Sequence, residues 1–226
     1  MDAEFNRNLV GCRECPRLVD YLRNLPPKGK RTRDEYWNRP VPGFGDPSAQ
    51  VLLVGLAPGA HGANRTGRPF TGDGAGDFMY PLLHRAGYAS QSQVSHADDG
   101  LQLTGLYISN AVKCVPPENK PTAAEFTHCR PFLARELAGL PRLKVVLALG
   151  QGAFTSCLRM FKAQGVISSL GAFPFGHGVS YSLENGLTLV ASYHTSRYNV
   201  QTGRIDESMF LQLLQRVRRL AAGEND

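Results

Sequence analysis

Two stretches of this chain concentrate side chains that could act on a charged, ring-bearing ligand. "GLAPGAHGANRTGRPFTGD", from Gly55 to Asp73, holds Arg65 and Arg68, the aromatic Phe70 and the carboxylate Asp73. "SYHTSRYNVQTGR", residues 192 to 204, adds His194, Arg197, Tyr198, Asn199 and Arg204. Guanidinium groups suit phosphates, an aromatic face suits a base, and a histidine with a carboxylate can move a proton. Together they describe a site on a nucleic acid better than one on a small metabolite. Each residue also has an ordinary explanation: His194 as a strand-end histidine with a backbone partner, the arginines as a solvated rim, Asp73 as the cap of the helix that follows.

Five cysteines form a third group: Cys12, Cys15, Cys114, Cys129 and Cys157. In a reducing compartment grouped cysteines are metal ligands or redox thiols before they are crosslinks. Cys12 and Cys15 make a C-x2-C pair, Cys114 ends a strand-like run and Cys129 sits in the next helix-like segment. Four thiolates suit a tetrahedral zinc or an iron–sulfur cluster, and spacing alone leans to zinc as the commoner structural site. Cys157 shares an apolar helical face with Phe154, Leu158 and Phe161 and reads as core.

A glycine-rich loop after a strand first suggests a nucleotide cofactor, which the details exclude. There is no G-x-x-x-x-G-K-[ST], and Gly55, Gly59 and Gly62 do not make G-x-G-x-x-G. "NRTGRPFTGD" also intervenes before a helix can start near Gly76, so no helix N-terminus stands directly behind the glycines.

The elements that must position these residues alternate. Apolar runs at 50–57, 106–114, 144–150 and 187–194 read as strands covered on both faces, the last following an Asn185-Gly186 turn. Segments 75–87, 122–140, 151–165 and 206–223 have helical period. The second of these opens with a capping box, Thr122 and Glu125, and Pro131 is expected to kink or restart it. Residues 25–49 read as a long loop. The alternation predicts an α/β fold, a three-layer α/β/α sandwich around a mostly parallel four-stranded sheet, built as one domain over 1–226. Ligands of such sheets bind beyond the carboxyl ends of the strands, where both motif loops leave.

At 226 residues and 42% hydrophobic side chains the chain can bury a sizeable core. Lys and Arg outnumber Asp and Glu by 25 to 19, a net charge of +6 that favours a polyanionic partner. With no charged-then-apolar leader and no long apolar stretch, the expectation is a cytoplasmic monomer with no membrane contact.

"GLAPGAHGANRTGRPFTGD", "NAVKCVPPENKPT" and "ASYHTSRYNVQTGR", in that order, with "CRECPRL" at 12–18 and the four cysteines around them, resemble the family 5 (B-type) uracil-DNA glycosylases of bacteria and archaea. The resemblance covers nearly the whole chain. It implies a monofunctional DNA-repair glycosylase that flips uracil and other deaminated bases out of DNA and hydrolyses the N-glycosidic bond, leaving an abasic site. It further implies a [4Fe-4S] cluster on Cys12, Cys15, Cys114 and Cys129, structural in role.

Carried onto this chain, the resemblance gives His194 as donor to the departing base and Asp73 as the catalytic carboxylate. In related glycosylases the carboxylate lies in "GQDPYH", which aligns on "GLAPGA" and puts Ala57 at its position. Gly55, Ala57 and Gly59 then line the base pocket, with Phe70 stacking on the base and Asn110 or its rival Asn119 reading the edge. Arg65, Arg68, Arg197, Asn199 and Arg204 face DNA. Small residues at 57 and 59 imply a pocket open to bases larger than uracil. Two other classes stay in view: a non-catalytic, metal-stabilised single-strand DNA-binding protein, and a redox protein whose cluster carries electrons.

Overall fold

The computed structural model describes residues 3–224. Its centre is four parallel strands, β2 (Val51–Gly55), β3 (Leu106–Asn110), β4 (Val145–Leu149) and β6 (Thr188–Ser192), in the order β3-β2-β4-β6. Every residue of β2, β3 and β4 is buried, which is why their sequences are apolar almost throughout. Alternate residues serve opposite layers. Leu53 joins Met79 and Leu83 of α4 (Gly74–Arg85) and Phe210 and Leu214 of α8 (Glu207–Ala222). Leu52 and Val54 face Leu133 of α5 (Ala123–Ala138) and Phe154, Cys157 and Phe161 of α6 (Gln151–Ala163). The three-layer expectation holds, and Cys157 is core.

The sheet has six strands rather than four. β1 (Phe44–Gly45) pairs antiparallel with β3, and β5 (Ser180–Ser182) with β6. Neither has an apolar run of its own; each is two or three half-exposed residues that become strands only by bonding to an edge already formed. β5 and β6 close as a hairpin over Asn185-Gly186, where Gly186 takes φ 81°. α5 runs unbroken through Pro131. Its capping box is as expected, with Glu125 N–H donating to Thr122 Oγ1 and Thr122 N–H to Glu125 Oε2. Two helices precede the sheet, α1 (Ala3–Gly11) and α2 (Pro16–Asn24), and two short ones lie in the motif loops, α3 (Ala63–Thr66) and α7 (Arg197–Gln201).

Register places the strand ends together. Gly55 pairs with Asn110 and Leu149 with Ser192, so the residues after β2, β3 and β6 emerge along one edge. Beneath that edge lies a buried ion pair. Lys113 Nζ stands 2.6 Å from Glu136 Oε2, which also accepts from Ser109 Oγ, while Oε1 accepts from Gly43 N–H. The two side chains are 2% and 0% exposed. This pair ties α5 to the segment between Asn110 and Cys114. Glu136→Gln leaves the ammonium without its counter-charge and is expected to lower unfolding free energy by about 3–5 kcal/mol, read by chemical denaturation. The double variant Lys113→Met/Glu136→Leu removes both charges and is expected to lose less; a double variant as unstable as the single one would contradict a charge-pairing role.

Candidate active site

The edge encloses a cavity of about 290 Å³ lined by Leu56, Ala57, Gly59, Ala63, Phe70, Asp73, Ala75, Asn110, Asn119, His194 and Ser196. Seven residues singled out in the sequence therefore share one wall: Ala57, Gly59, Phe70, Asp73, Asn110, Asn119 and His194. Gly55 stands behind it. A Cβ there would lie 2.3 Å from Asn110 Oδ1 and 2.5 Å from Phe70 Cζ, so the missing side chain is what lets amide and ring approach each other.

Asn110 is the last residue of β3, 2% exposed, and its Oδ1 is buried with no hydrogen-bond partner among the described residues. A buried carbonyl oxygen without a donor costs about 1–3 kcal/mol, which a ligand N–H at this place would recover. Asn119 reaches the same cavity from the turn Pro117–Asn119, exposed and in left-handed backbone at φ 56°.

Asp73 does two things at once. Oδ1 accepts from Ala75 and Gly76 N–H at 3.1 and 3.0 Å, capping α4, as its position before Gly-Ala-Gly suggests. Oδ2 turns the other way, where a Cβ on Gly59 would come within 3.1 Å of it. Capping and facing the cavity are thus not alternatives. His194 follows β6 by two residues, its ring 6.2 Å from that of Phe70. Burial lowers its proton affinity, the nearby Asp73 carboxylate offsets this only in part, and the balance favours the neutral imidazole.

The arginines divide. Arg68 was expected on the DNA surface, and the structure turns it inward, 3% exposed. Its guanidinium grips Asp99 in two bonds of 2.9 and 2.7 Å, donates to Thr71 Oγ1 and the Ala97 carbonyl, and lies over the Phe44 ring. Burial works to raise the Asp99 carboxyl, yet bonds from Arg68 and from the Ser95 and Leu101 N–H groups outweigh it and hold its pKa below the usual carboxylate range. The pair fixes the turn in which Phe70 sits at φ 53°, a left-handed backbone uncommon for an aromatic residue. Asn199 is also turned inward, its Nδ2 donating to the His194 carbonyl at 2.8 Å. Arg65 is half-buried and donates to the His61 carbonyl. Arg197 and Arg204 are exposed, Arg204 resting over the Tyr193 ring.

The sequence assigns no role to two residues that the structure makes prominent. Tyr198, 73% exposed, is the one large exposed hydrophobic side chain among the described residues, beside Arg197 on α7. His61 Nδ1 pairs with Tyr36 Oη at 3.0 Å, which fastens the loop before β1 to the motif after β2.

The four grouped cysteines line one crevice, with Lys113, His128 and Phe132. Lys113 N–H donates to Cys129 Sγ at 3.4 Å, and Cys15 Sγ lies 3.5 Å from His128 Nδ1. Burial first, then the neighbouring thiols, push Cys15 up to about 11 and Cys114 further still. Among the described residues no three His, Cys, Asp or Glu side chains come close enough for a single metal ion.

The chain is similar to known proteins along most of its length. A family model described as the uracil DNA glycosylase superfamily matches residues 42–218. A "Type-5 uracil-DNA glycosylase" of Thermus thermophilus is 51% identical over 98% of this chain and 99% of its own. One of Pyrobaculum aerophilum is 40% identical over 94% and 90%. A "Type-4 uracil-DNA glycosylase" of Archaeoglobus fulgidus is 30% identical over 69% and 62%. The family model takes in Cys114 and Cys129 but begins after Cys12 and Cys15, which the Thermus alignment covers nearly end to end.

Arg68→Ala strips the buried Asp99 of its partner and is expected to cost about 3–5 kcal/mol in thermal or chemical unfolding, while the salt dependence of DNA binding stays at the wild-type slope. A shallower slope with unchanged stability would return Arg68 to the DNA surface. In wild-type protein the depressed Asp99 pKa adds stability that is present above the unfolded carboxylate value, about 4, and is lost as pH falls below it.

Proposed function

Because this chain belongs to the uracil DNA glycosylase superfamily, we propose how its own residues carry out the reaction. It is a uracil-DNA glycosylase of DNA repair, and DNA is its substrate. The binding-only and electron-carrying readings are set aside. The observation that carries the mechanism is Asn110, a buried amide with an unpartnered Oδ1 on the wall of a cavity that also holds Phe70, Asp73 and His194.

The target base leaves the stack and enters the cavity, since its glycosidic bond is out of reach inside a duplex. Phe70 stacks on the ring. Asn110 Oδ1 accepts from uracil N3–H and Nδ2 donates to O4, a pattern that cytosine reverses; Asn119 closes the edge of the same cavity. Neutral His194 donates to O2 as negative charge builds on the departing base. Asp73 Oδ2 orients the water or steadies the cationic sugar while Oδ1 keeps α4 capped. Arg65, Arg197 and Arg204 hold phosphates, and the exposed Tyr198 ring fills the gap left by the flipped base. No described helix is long and apolar enough to cross a membrane; the protein works as a monomeric, single-domain enzyme of the cytoplasm.

Small residues at 57 and 59 leave room for other deaminated bases beside uracil, hypoxanthine among them. A side chain at 59 would press on Asp73 Oδ2, so an open wall and a free carboxylate oxygen go together. Cys12, Cys15, Cys114 and Cys129 would hold a [4Fe-4S] cluster; the shared crevice, the N–H···S bond to Cys129 and an all-thiol donor set, buried except for half-buried Cys12, fit such a group. Bound there, it would supply a fixed crosslink between the N-terminal helices, the end of β3 and α5.

Asp73→Asn keeps the cap acceptor and removes the charge, so excision is expected to fall roughly 100-fold or more with abasic-site binding retained. Near-normal turnover of a folded variant would leave Asp73 as a cap alone. Anaerobically purified protein is expected to be brown with about four irons per chain. Cys157→Ala should keep that content and Cys114→Ala lose it; stoichiometric zinc in colourless, active protein would falsify the cluster.

A further inference from the structure

The loop before β1 is the most cationic segment of the chain. Between residues 28 and 39 it carries Lys28, Lys30, Arg31, Arg33 and Arg39 against Asp34 and Glu35, all of them exposed. Glu35 is turned back on Thr32, whose N–H donates to its Oε2 at 2.6 Å. The loop does not float. Lys28 N–H donates to Tyr36 Oη, Tyr36 Oη pairs with His61 Nδ1, and Trp37 and Asn38 N–H donate to the carbonyls of Arg65 and Asn64. It is therefore laid along the 61–67 stretch, whose own Ala63 and nearby Gly59 line the base cavity.

On its far side the cations continue. Arg33 shares a cleft of about 140 Å³ with Arg13 and Arg23, floored by Cys12, Leu22 and Asn38. Arg13 borders a further open cleft with Arg7 and Arg39. Arg23 has only Asp20 at 3.9 Å, and Lys28, Arg31, Arg33, Arg13 and Arg39 make no ion pair among the described residues. Cations held on a docked backbone without counter-charges repel one another unless an anion covers them. The successive clefts suit a repeating anion rather than one phosphate.

We propose that these side chains form a track for the DNA backbone, running from the mouth of the base cavity through Lys28 and Arg31 to the arginine clefts beside the four cysteines. The track takes its partner from the glycosylase reading and goes beyond it, since it holds phosphodiesters away from the flipped nucleotide and reads no base. It also gives the cysteine crevice a use in recognition. Cys12 lines the cleft shared by Arg13, Arg23 and Arg33, and its carbonyl accepts from Arg13 at 2.7 Å, so whatever fixes Cys12 also fixes the place of Arg13 in that cleft.

The test is the salt dependence of binding to two abasic-site duplexes, one ending just past the lesion and one a helical turn longer on each side. Lys28→Gln/Arg31→Gln is expected to lower the slope of log affinity against log salt by about two on both duplexes. Arg33→Gln/Arg39→Gln is expected to lower it by about two on the long duplex and hardly at all on the short one. Arg33→Lys/Arg39→Lys, which keeps the charges, should restore the slope, and Arg85→Gln, the loss of one positive charge at the far end of α4, should leave it unmoved. Unchanged slopes on the long duplex, a loss for Arg33→Gln/Arg39→Gln that is independent of length, or a Lys variant as weak as the Gln variant would overturn the track. Wild-type protein that released no uracil would instead overturn the glycosylase reading, and the same slopes on undamaged duplexes would still decide the track.

Discussion

The base cavity hangs on the buried guanidinium of Arg68. Two bonds to Asp99, one to Thr71 and one to the Ala97 carbonyl use the fork of donors in a single geometry. They pin a turn whose central residue, Phe70, adopts a backbone that an aromatic residue on its own would avoid. Phe70 in turn touches the space that Gly55 leaves empty and faces the His194 ring, and Asp73 begins the next helix three residues on. One ion pair away from the cavity thus sets the ring, the carboxylate and, through both, the imidazole. Its strength comes from burial: the same pair on the surface would be screened and worth little.

Parallel strands supply the rest of the site. Because β2, β3 and β6 point the same way and end in register, three segments remote in sequence turn outward within one cavity. A polar group at such an end either finds a partner or waits for one. Asp73 Oδ1 has found two backbone N–H groups and Asn199 a carbonyl, whereas Asn110 Oδ1 has none. Four other buried side-chain atoms among the described residues also lack a partner, on Asn64, Tyr88, Arg130 and Thr195, but of the five residues only Asn110 lines the cavity, and that placement sets it apart.

How much of this was legible from the sequence follows from the range of the forces involved. β2, β3, β4 and β6 are apolar runs covered on both faces, and the Thr122 capping box is local, so both could be read directly. β1 and β5 could not, since two or three residues of mixed polarity become strands only against a neighbour. Asp73 looked ambiguous between cap and catalyst because one oxygen caps α4 while the other is turned to the cavity. Arg68 was misread because its partner, Asp99, lies 31 residues away in a loop with no periodic pattern, and an arginine in a glycine-rich loop carries no mark of which way it points. The Asn110 orphan could not be seen at all, because an absent hydrogen bond has no sequence signal.

The same asymmetry orders the charges of the whole molecule. Where a cation is buried here it has its carboxylate, as Arg68 has Asp99 and Lys113 has Glu136, because an unpaired ion in the interior would cost several kcal/mol. Exposed Lys120 and Arg17 have carboxylates too, Glu118 and Glu125, but Arg197, Arg204 and the cations of the 28–39 segment make no ion pair among the described residues, and water and salt screen them cheaply. Part of the excess of six positive charges over the chain is therefore carried on the side that bears the 28–39 segment and the arginine clefts. The interior pairs give the loops their shape and contribute nothing to the outward field; the unpaired surface cations give the field and little of the shape. A polyanion approaching that side meets charges already held in place, so the ordering entropy of the loops has been spent in folding and not in binding.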